Sequence, residues 1–349
     1  MAEHDSVRKK RFVKKKKDSV SITELKDGVL NGDRSSLAKA ITLIESNAEQ
    51  HYAMGQELLQ ELLPYTGKSF RIGITGVPGA GKSTFIEAFG EMLCEQGLRV
   101  AVLAIDPSSS ISGGSILGDK TRMEQLSKNP RAFVRPSPTA GTLGGVHRKT
   151  SETLLLCEAA GYDLMIIETV GVGQSEVMVR QMVDFFLLLV ITGAGDELQG
   201  MKKGIMELAD ALLVNKADGE NKPLAEKTRR ELDQILHFLT PATKGWSSKA
   251  YTCSALKNEG LKEMWDVIQQ FEKQSKEKGV FEERRLLQKQ EWFHTMLKER
   301  ILSDFFFHKD IKSALPHMES RVKEGDYTTT QAVEELLKRY KGAILNGFS

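Results

Sequence analysis

One octapeptide constrains this chain more than any other: Gly76-Val77-Pro78-Gly79-Ala80-Gly81-Lys82-Ser83. It fits G-x-x-x-x-G-K-[ST] at every fixed position, follows an apolar run at 70–75 and opens an amphipathic stretch at 83–96. A strand, a glycine turn and a helix in that order form the context such a loop needs. Glycines let the backbone bend closely around phosphate oxygens. Its N–H groups then point inward as an anion nest, and the helix start adds the positive end of a dipole. Lys82 is expected to reach β- and γ-phosphates, the Ser83 hydroxyl to bind Mg2+, and Thr84 to touch the α-phosphate.

From residue 69 onward, short apolar runs alternate with helix-length segments. Strands are expected at 70–75, 99–105, 132–135, 164–168, 185–191, 211–215 and 249–253, and helices at 83–96, 145–160, 225–238 and 261–272. This alternation implies an α/β fold: a mostly parallel sheet covered by helices on both faces, with ligands beyond the carboxyl ends of the strands. Before it, residues 22–63 carry leucine and isoleucine at helical spacing, closed by Pro64 and Gly67. After 272 the strand signal stops; a charged stretch reads as a helix or hinge, and helices are expected at 286–305 and 329–337. The resulting division is a basic tail at 1–20, a helical extension at 21–67, a nucleotide-binding body at 68–274 and a helical arm at 275–349.

The base reader is expected at Asn215-Lys216-Ala217-Asp218, which closes an apolar strand about 130 residues after the phosphate loop. A carboxylate at Asp218 accepts from both N1–H and the N2 amine of guanine; adenine offers neither donor, so GTP is the expected nucleotide. Lys216 can lay its stem along the base, Asn215 can brace neighbouring loops, and the backbone of Ser254, Ala255 and Leu256 can contact guanine O6. Asp106 and Glu168 each end a strand where a Mg2+-binding carboxylate is needed, and the longer Glu168 suggests contact through water. Between them, the glycine-rich segment 108–122 carries Asp119, either a ligand in a nucleotide-ordered loop or a solvated carboxylate. A second such segment, 193–204, offers Asp196, Gln199, Lys202 and Lys203; a lysine there could stabilise transition-state charge, or the charges could simply be solvated.

The charge pattern adds little to this. Residues 8–17 hold eight Lys or Arg, and beyond residue 17 the chain carries 41 basic against 45 acidic residues. Such a tail is expected to be disordered, and nucleic acid is not an expected partner. No apolar run reaches the ~18 residues of a membrane span. Three scattered cysteines, Cys94, Cys157 and Cys253, point away from a disulfide framework and toward a reducing compartment, the cytoplasm by default.

Five longer stretches carry a resemblance: 106–123, 135–145, 168–176, 196–205 and 215–219. Together they resemble the MeaB/ArgK (methylmalonic aciduria type A) family of P-loop GTPases over roughly residues 35–300. The resemblance implies slow, Mg2+-dependent GTP hydrolysis to GDP, and a chaperone role toward adenosylcobalamin-dependent acyl-CoA mutases, chiefly methylmalonyl-CoA mutase. It implies a homodimer built through the C-terminal helices. It also implies a Mg2+ network of Ser83, Asp106, Asp119 and Glu168, and a partner-sensitive set of Asp196, Gln199, Lys202 and Lys203; Lys82, Asp196, Gln199 and Lys202 are the expected catalytic residues. None of the seven histidines has Asp two residues before it, so the D-x-H-x-x-G cobalamin motif is absent. The protein is expected to control a partner that carries the cofactor rather than carry it in that mode. An amino-acid-transport kinase and a metal-insertion GTPase are the alternative readings.

Overall fold

The computed structural model describes residues 21–46, 48–105, 123–136, 143–169, 175–193 and 203–346. The basic tail lies outside them. Seven strands form one wholly parallel sheet: β1 (Phe70–Gly76), β2 (Val100–Ile105), β3 (Ala132–Pro136), β4 (Leu164–Thr169), β5 (Phe185–Val190), β6 (Ala211–Val214) and β7 (Lys249–Thr252). Their order is β3-β2-β4-β1-β5-β6-β7, which places β1 at the centre. β5, Phe-Phe-Leu-Leu-Leu-Val, is buried along its whole length. Such a run, apolar at every position rather than alternating, is what a strand covered on both faces requires.

Helices cover both faces. α1 (Ile22–Leu30), α2 (Arg34–Glu45) and α3 (Glu49–Leu62) form the N-terminal extension. A capping box between Ser21 and Glu24 starts α1, satisfying backbone donors that the first turn leaves open. Leu25, Val29, Leu37, Ile41 and Leu58 join the same apolar core as the sheet. Then follow α4 (Lys82–Glu95), α5 (Glu124–Lys128), α6 (Leu143–Ala159), α7 (Ser175–Arg180), α8 (Lys203–Met206), α9 (Lys222–His237) and α10 (Leu261–Glu277). α10 is tied to the sheet by Phe271, whose ring stands edge-on to Phe185 at 5.0 Å and to Trp246 at 5.2 Å.

The six-residue α7 lies against β1 at Gly73. A Cβ there would come within 2.8 Å of Phe186 and 2.9 Å of the Val179 side chain. Gly73→Ala is therefore expected to destabilise the fold by about 1–3 kcal/mol, the usual penalty for overpacking. Urea unfolding measures this, and a loss well below that range would show that α7 can move aside at little cost.

The charged stretch after 272 is helix, glycine, helix. Gly279 takes φ 70°, a left-handed conformation that favours glycine, and separates α10 from α11 (Val280–Phe307). α12 (Lys309–Lys323) and α13 (Thr329–Asn346) complete the arm. The apolar spacing places no helix at 309–323, a stretch that holds Pro316; the structure carries that proline inside α12. A second, smaller core joins these helices through Ile311, Ala314, Met318 and Leu336, with Phe305 and Tyr340 against it. Among the described residues, no helix is long and apolar enough to cross a membrane.

Candidate nucleotide site

The phosphate loop sits at the carboxyl end of the central strand. At Gly76, φ 153°, a Cβ would lie 2.2 Å from the Leu189 carbonyl oxygen of β5, so a side chain there would collide with the neighbouring backbone. Gly81, φ 81°, leads into α4. A Cβ on it would come 2.7 Å from the Asn215 amide nitrogen. Among the described residues no side chain caps α4. Its first N–H groups are thereby left for an anion.

Lys82 Nζ donates to the carbonyl of Gly76 at 2.8 Å and to that of Val77 at 3.3 Å. The ammonium thus lies over the start of its own loop, where phosphate oxygens would compete for it. Ser83, one residue on, donates its hydroxyl to Glu168 Oε1 at 3.2 Å. Glu168 is buried near the end of β4, the strand adjacent to β1. Its neighbour Thr169 donates to the Thr75 hydroxyl at 2.7 Å, both side chains fully buried. Two links therefore hold the end of β4 to the base of the phosphate loop.

Asn215 joins three loops at once. Its Nδ2 donates to the Ala80 carbonyl at 2.8 Å, across 135 residues of sequence. Its Oδ1 accepts from the Ala255 N–H at 3.1 Å and from the Cys253 thiol at 3.3 Å. Burial pushes the Cys253 thiol up to about 12, so it remains a neutral donor. Lys216 has φ 61°, uncommon for a residue with a side chain. The Ala217 N–H donating to the Cys253 carbonyl at 2.9 Å and the Asn221 side chain donating to the Lys216 carbonyl at 2.6 Å hold that turn. Asp218 Oδ2 accepts from the Ser254 hydroxyl.

The described residues of the two sequence motifs thus converge on one end of the sheet: Gly76–Thr84, Glu168, Asn215–Asp218 and Ser254–Leu256. Asp106, Asp119, Asp196, Gln199 and Lys202 lie outside the described residues, and Lys203 opens α8. The hydroxyl pair Thr75–Thr169 and the Ser254 side-chain contact were not anticipated; a threonine at a strand end carries no local signal of its partner. A cleft of roughly 1590 Å³ borders Thr84, Ala217 and Ser254 and runs down the open edge of β7, but does not enclose the phosphate loop.

Comparisons with known proteins identify relatives of this chain. The family model of the methylmalonyl-CoA mutase-associated GTPase MeaB matches residues 37–310. The Escherichia coli protein named GTPase ArgK is 48% identical over 279 residues, covering 80% of this chain and 84% of that protein. The mouse protein named methylmalonic aciduria type A homolog, mitochondrial, is 45% identical over 335 residues, covering 93% and 81% respectively. A crystal structure described as a LAO/AO transport system kinase superposes with a TM-score of 0.74 at 36% identity, covering 94% of this chain and all of that one. With a family match over most of its length and a phosphate loop, Glu168 and the Asn215–Asp218 turn gathered at one sheet end, this chain belongs to the MeaB family of P-loop GTPases.

Proposed function

We propose that this GTPase is a chaperone of an adenosylcobalamin-dependent acyl-CoA mutase, methylmalonyl-CoA mutase foremost, gating cofactor delivery and protecting or reactivating the enzyme. The observation that carries the reading is the match to a mutase-associated GTPase family across residues 37–310. In this reading Gly76–Thr84 cradle the triphosphate. Asn215, Lys216, Asp218 and Ser254–Leu256 hold guanine, with Asp218 pre-oriented by the Ser254 hydroxyl. Lys82, Asp196, Gln199 and Lys202 act around the γ-phosphate, and no covalent enzyme intermediate is required.

The donors fit Mg2+. Ser83 and Glu168 present hard oxygens 3.2 Å apart beside the phosphate loop, and such ions favour oxygen ligands shared with substrate phosphates. Ser83, Asp106, Asp119 and Glu168 would hold the ion, directly or through water, and it would neutralise negative charge on the phosphates. Ser83 would turn its hydroxyl from Glu168 to do so, while Glu168 stays fixed at the end of β4.

The arm at 275–349 serves as the homodimer contact in this reading. Along α11, Leu286, Phe293, Ile301, Leu302 and Phe307 are exposed, while Arg284 and Arg285 near its start are largely covered. The three cysteines are free and buried, in keeping with a reducing compartment such as the cytoplasm.

Steady-state hydrolysis of GTP and ATP, with and without a purified adenosylcobalamin-dependent mutase, tests the proposal. GTP-selective turnover that rises with the mutase supports it. Turnover indifferent to every such mutase removes the chaperone assignment, and γ-labelled phosphate appearing on a protein would favour a kinase. Lys202→Ala is expected to leave GTP affinity in place while cutting the mutase-stimulated rate by roughly 10-fold or more, as loss of a transition-state cation does. An unchanged stimulated rate would remove Lys202 from that role.

A further inference from the structure

At the feet of the strands, opposite the phosphate loop, a buried charge network receives the C-terminal arm. It has two halves. In the first, Arg285 of α11 donates to both oxygens of Asp184 at 2.6 Å and to the Ser69 carbonyl at 2.8 Å. The Arg71 N–H also donates to Asp184, at 2.8 Å, and the Arg71 guanidinium pairs with Glu158 at 2.9 Å. This half suffices to anchor α11, since it ties the helix to the first residues of β1 and β5.

The second half does something else. Asp210, fully buried just before β6, accepts from Arg180 at 2.8 Å and from the Phe186 N–H at 2.9 Å. The Thr243 hydroxyl donates to Asp210, and it accepts from Arg180 at 3.1 Å and from Arg284 of α11. Arg284 also reaches the Asp184 carbonyl. One hydroxyl is thus shared by two arginines, one on α11 and one at the last position of α7. Burial, then the nearby Arg180 charge, pulls the Arg284 pKa down, while the Asp210 and Asp184 carboxylates oppose that shift.

α7 packs on β4 and β1 and ends at this hub. Only five residues separate its first residue, Ser175, from Thr169, which is bound to Thr75 beside the phosphate loop. Its flank packs on β1 at Gly73, three residues before the phosphate loop, through the buried Val179, and its last residue is Arg180. A shift of α7 would carry Arg180 away from Thr243 and leave buried polar groups half-paired. Such a network has discrete arrangements rather than a continuum, because a half-satisfied buried charge is costly.

We propose that the Arg180–Thr243–Arg284 hub transmits nucleotide state from the end of β4 to α11, and so to the arm. This rests on the proposed chaperone reading, and adds to it that the nucleotide held at the phosphate loop sets the state of the arm. The hub makes α11 the element that differs between GTP- and GDP-bound forms, with Arg180, Thr243 and Arg284 as positioning residues for the arm.

Hydrogen–deuterium exchange of the full-length protein, with GDP and with a slowly hydrolysed GTP analogue, tests it without any mutase. Wild-type exchange at 280–307 is expected to differ between the two nucleotides by about fivefold or more, the lower range of ordinary coupling. Thr243→Val removes only the shared hydroxyl; the difference is expected to shrink below about twofold, with GTP affinity and basal hydrolysis unchanged. A wild-type protein with no nucleotide-dependent difference at 280–307 overturns the inference. So does a Thr243→Val protein that loses thermal stability yet keeps the full difference, the mark of a merely structural contact. Should Thr243→Val fail to fold, Arg284→Lys, which keeps the charge and loses the forked contact, decides by the same two outcomes. A mutase that leaves hydrolysis unstimulated would strike the chaperone assignment alone, since the exchange readout does not involve it.

Discussion

Lys82→Ala is expected to lower GTP turnover roughly 100- to 1000-fold, the scale for loss of one preorganised charge donor at a transition state. The ammonium already lies at the mouth of the loop, 2.8 Å from the Gly76 carbonyl. Exchanging that carbonyl for phosphate oxygens requires no refolding of the loop, only a swing of the side chain. Charge developing on the transferred group is then met by a cation held on the first turn of α4, in a site walled by buried strands. Single-turnover hydrolysis separates this effect from binding, and fluorescent GTP titration reports any loss of affinity. Turnover within about threefold of wild type would show that the loop holds nucleotide without this lysine acting on it.

A comparable change is expected in selectivity. Asp218→Asn should reduce the preference for GTP over ATP by roughly 100-fold or more, because a site built to accept two guanine donors loses its carboxylate. Two contacts hold Asp218 ready to accept them. Ser254 donates to Oδ2, and the strained Lys216 turn fixes the backbone before it. An asparagine in the same place would offer an N–H to the C2 carbonyl of xanthine, so XTP turnover is expected to rise as GTP turnover falls. Competition of GTP, ATP and XTP against a fluorescent analogue gives all three affinities. Undiminished GTP preference in Asp218→Asn would move the base reader elsewhere.

The strands were legible in the sequence to within a residue or so at either end. A parallel interior strand is apolar at every position, and Phe185–Val190 cannot be read otherwise. One boundary differs instructively. The apolar run at 211–215 includes Asn215, but β6 ends at Val214, because Asn215 turns out to bind Ala80 and Ala255. Four helices left no usable pattern. α12 contains Pro316, and α5, α7 and α8, of five, six and four residues, are too short for a 3.6-residue period to show.

Residue order alone was enough for the local units and their chemistry: a strand running into a glycine turn and a lysine, a carboxylate after an apolar strand, a run of apolar positions that must be buried. These depend on residues near each other in the chain, where spacing and residue type act directly. Which units meet was settled by the packing of the whole chain. β4 lies between β1 and β2, and that order brings Glu168 to Ser83 and Thr169 to Thr75. The same packing sets Arg284 against Thr243 and Asp210, residues of the β5–β6–β7 side of the sheet. Pairings of this kind arise from the crossover path of the chain and the closure of one common core. They join groups up to 216 residues apart, and no short-range pattern encodes a partner at that distance.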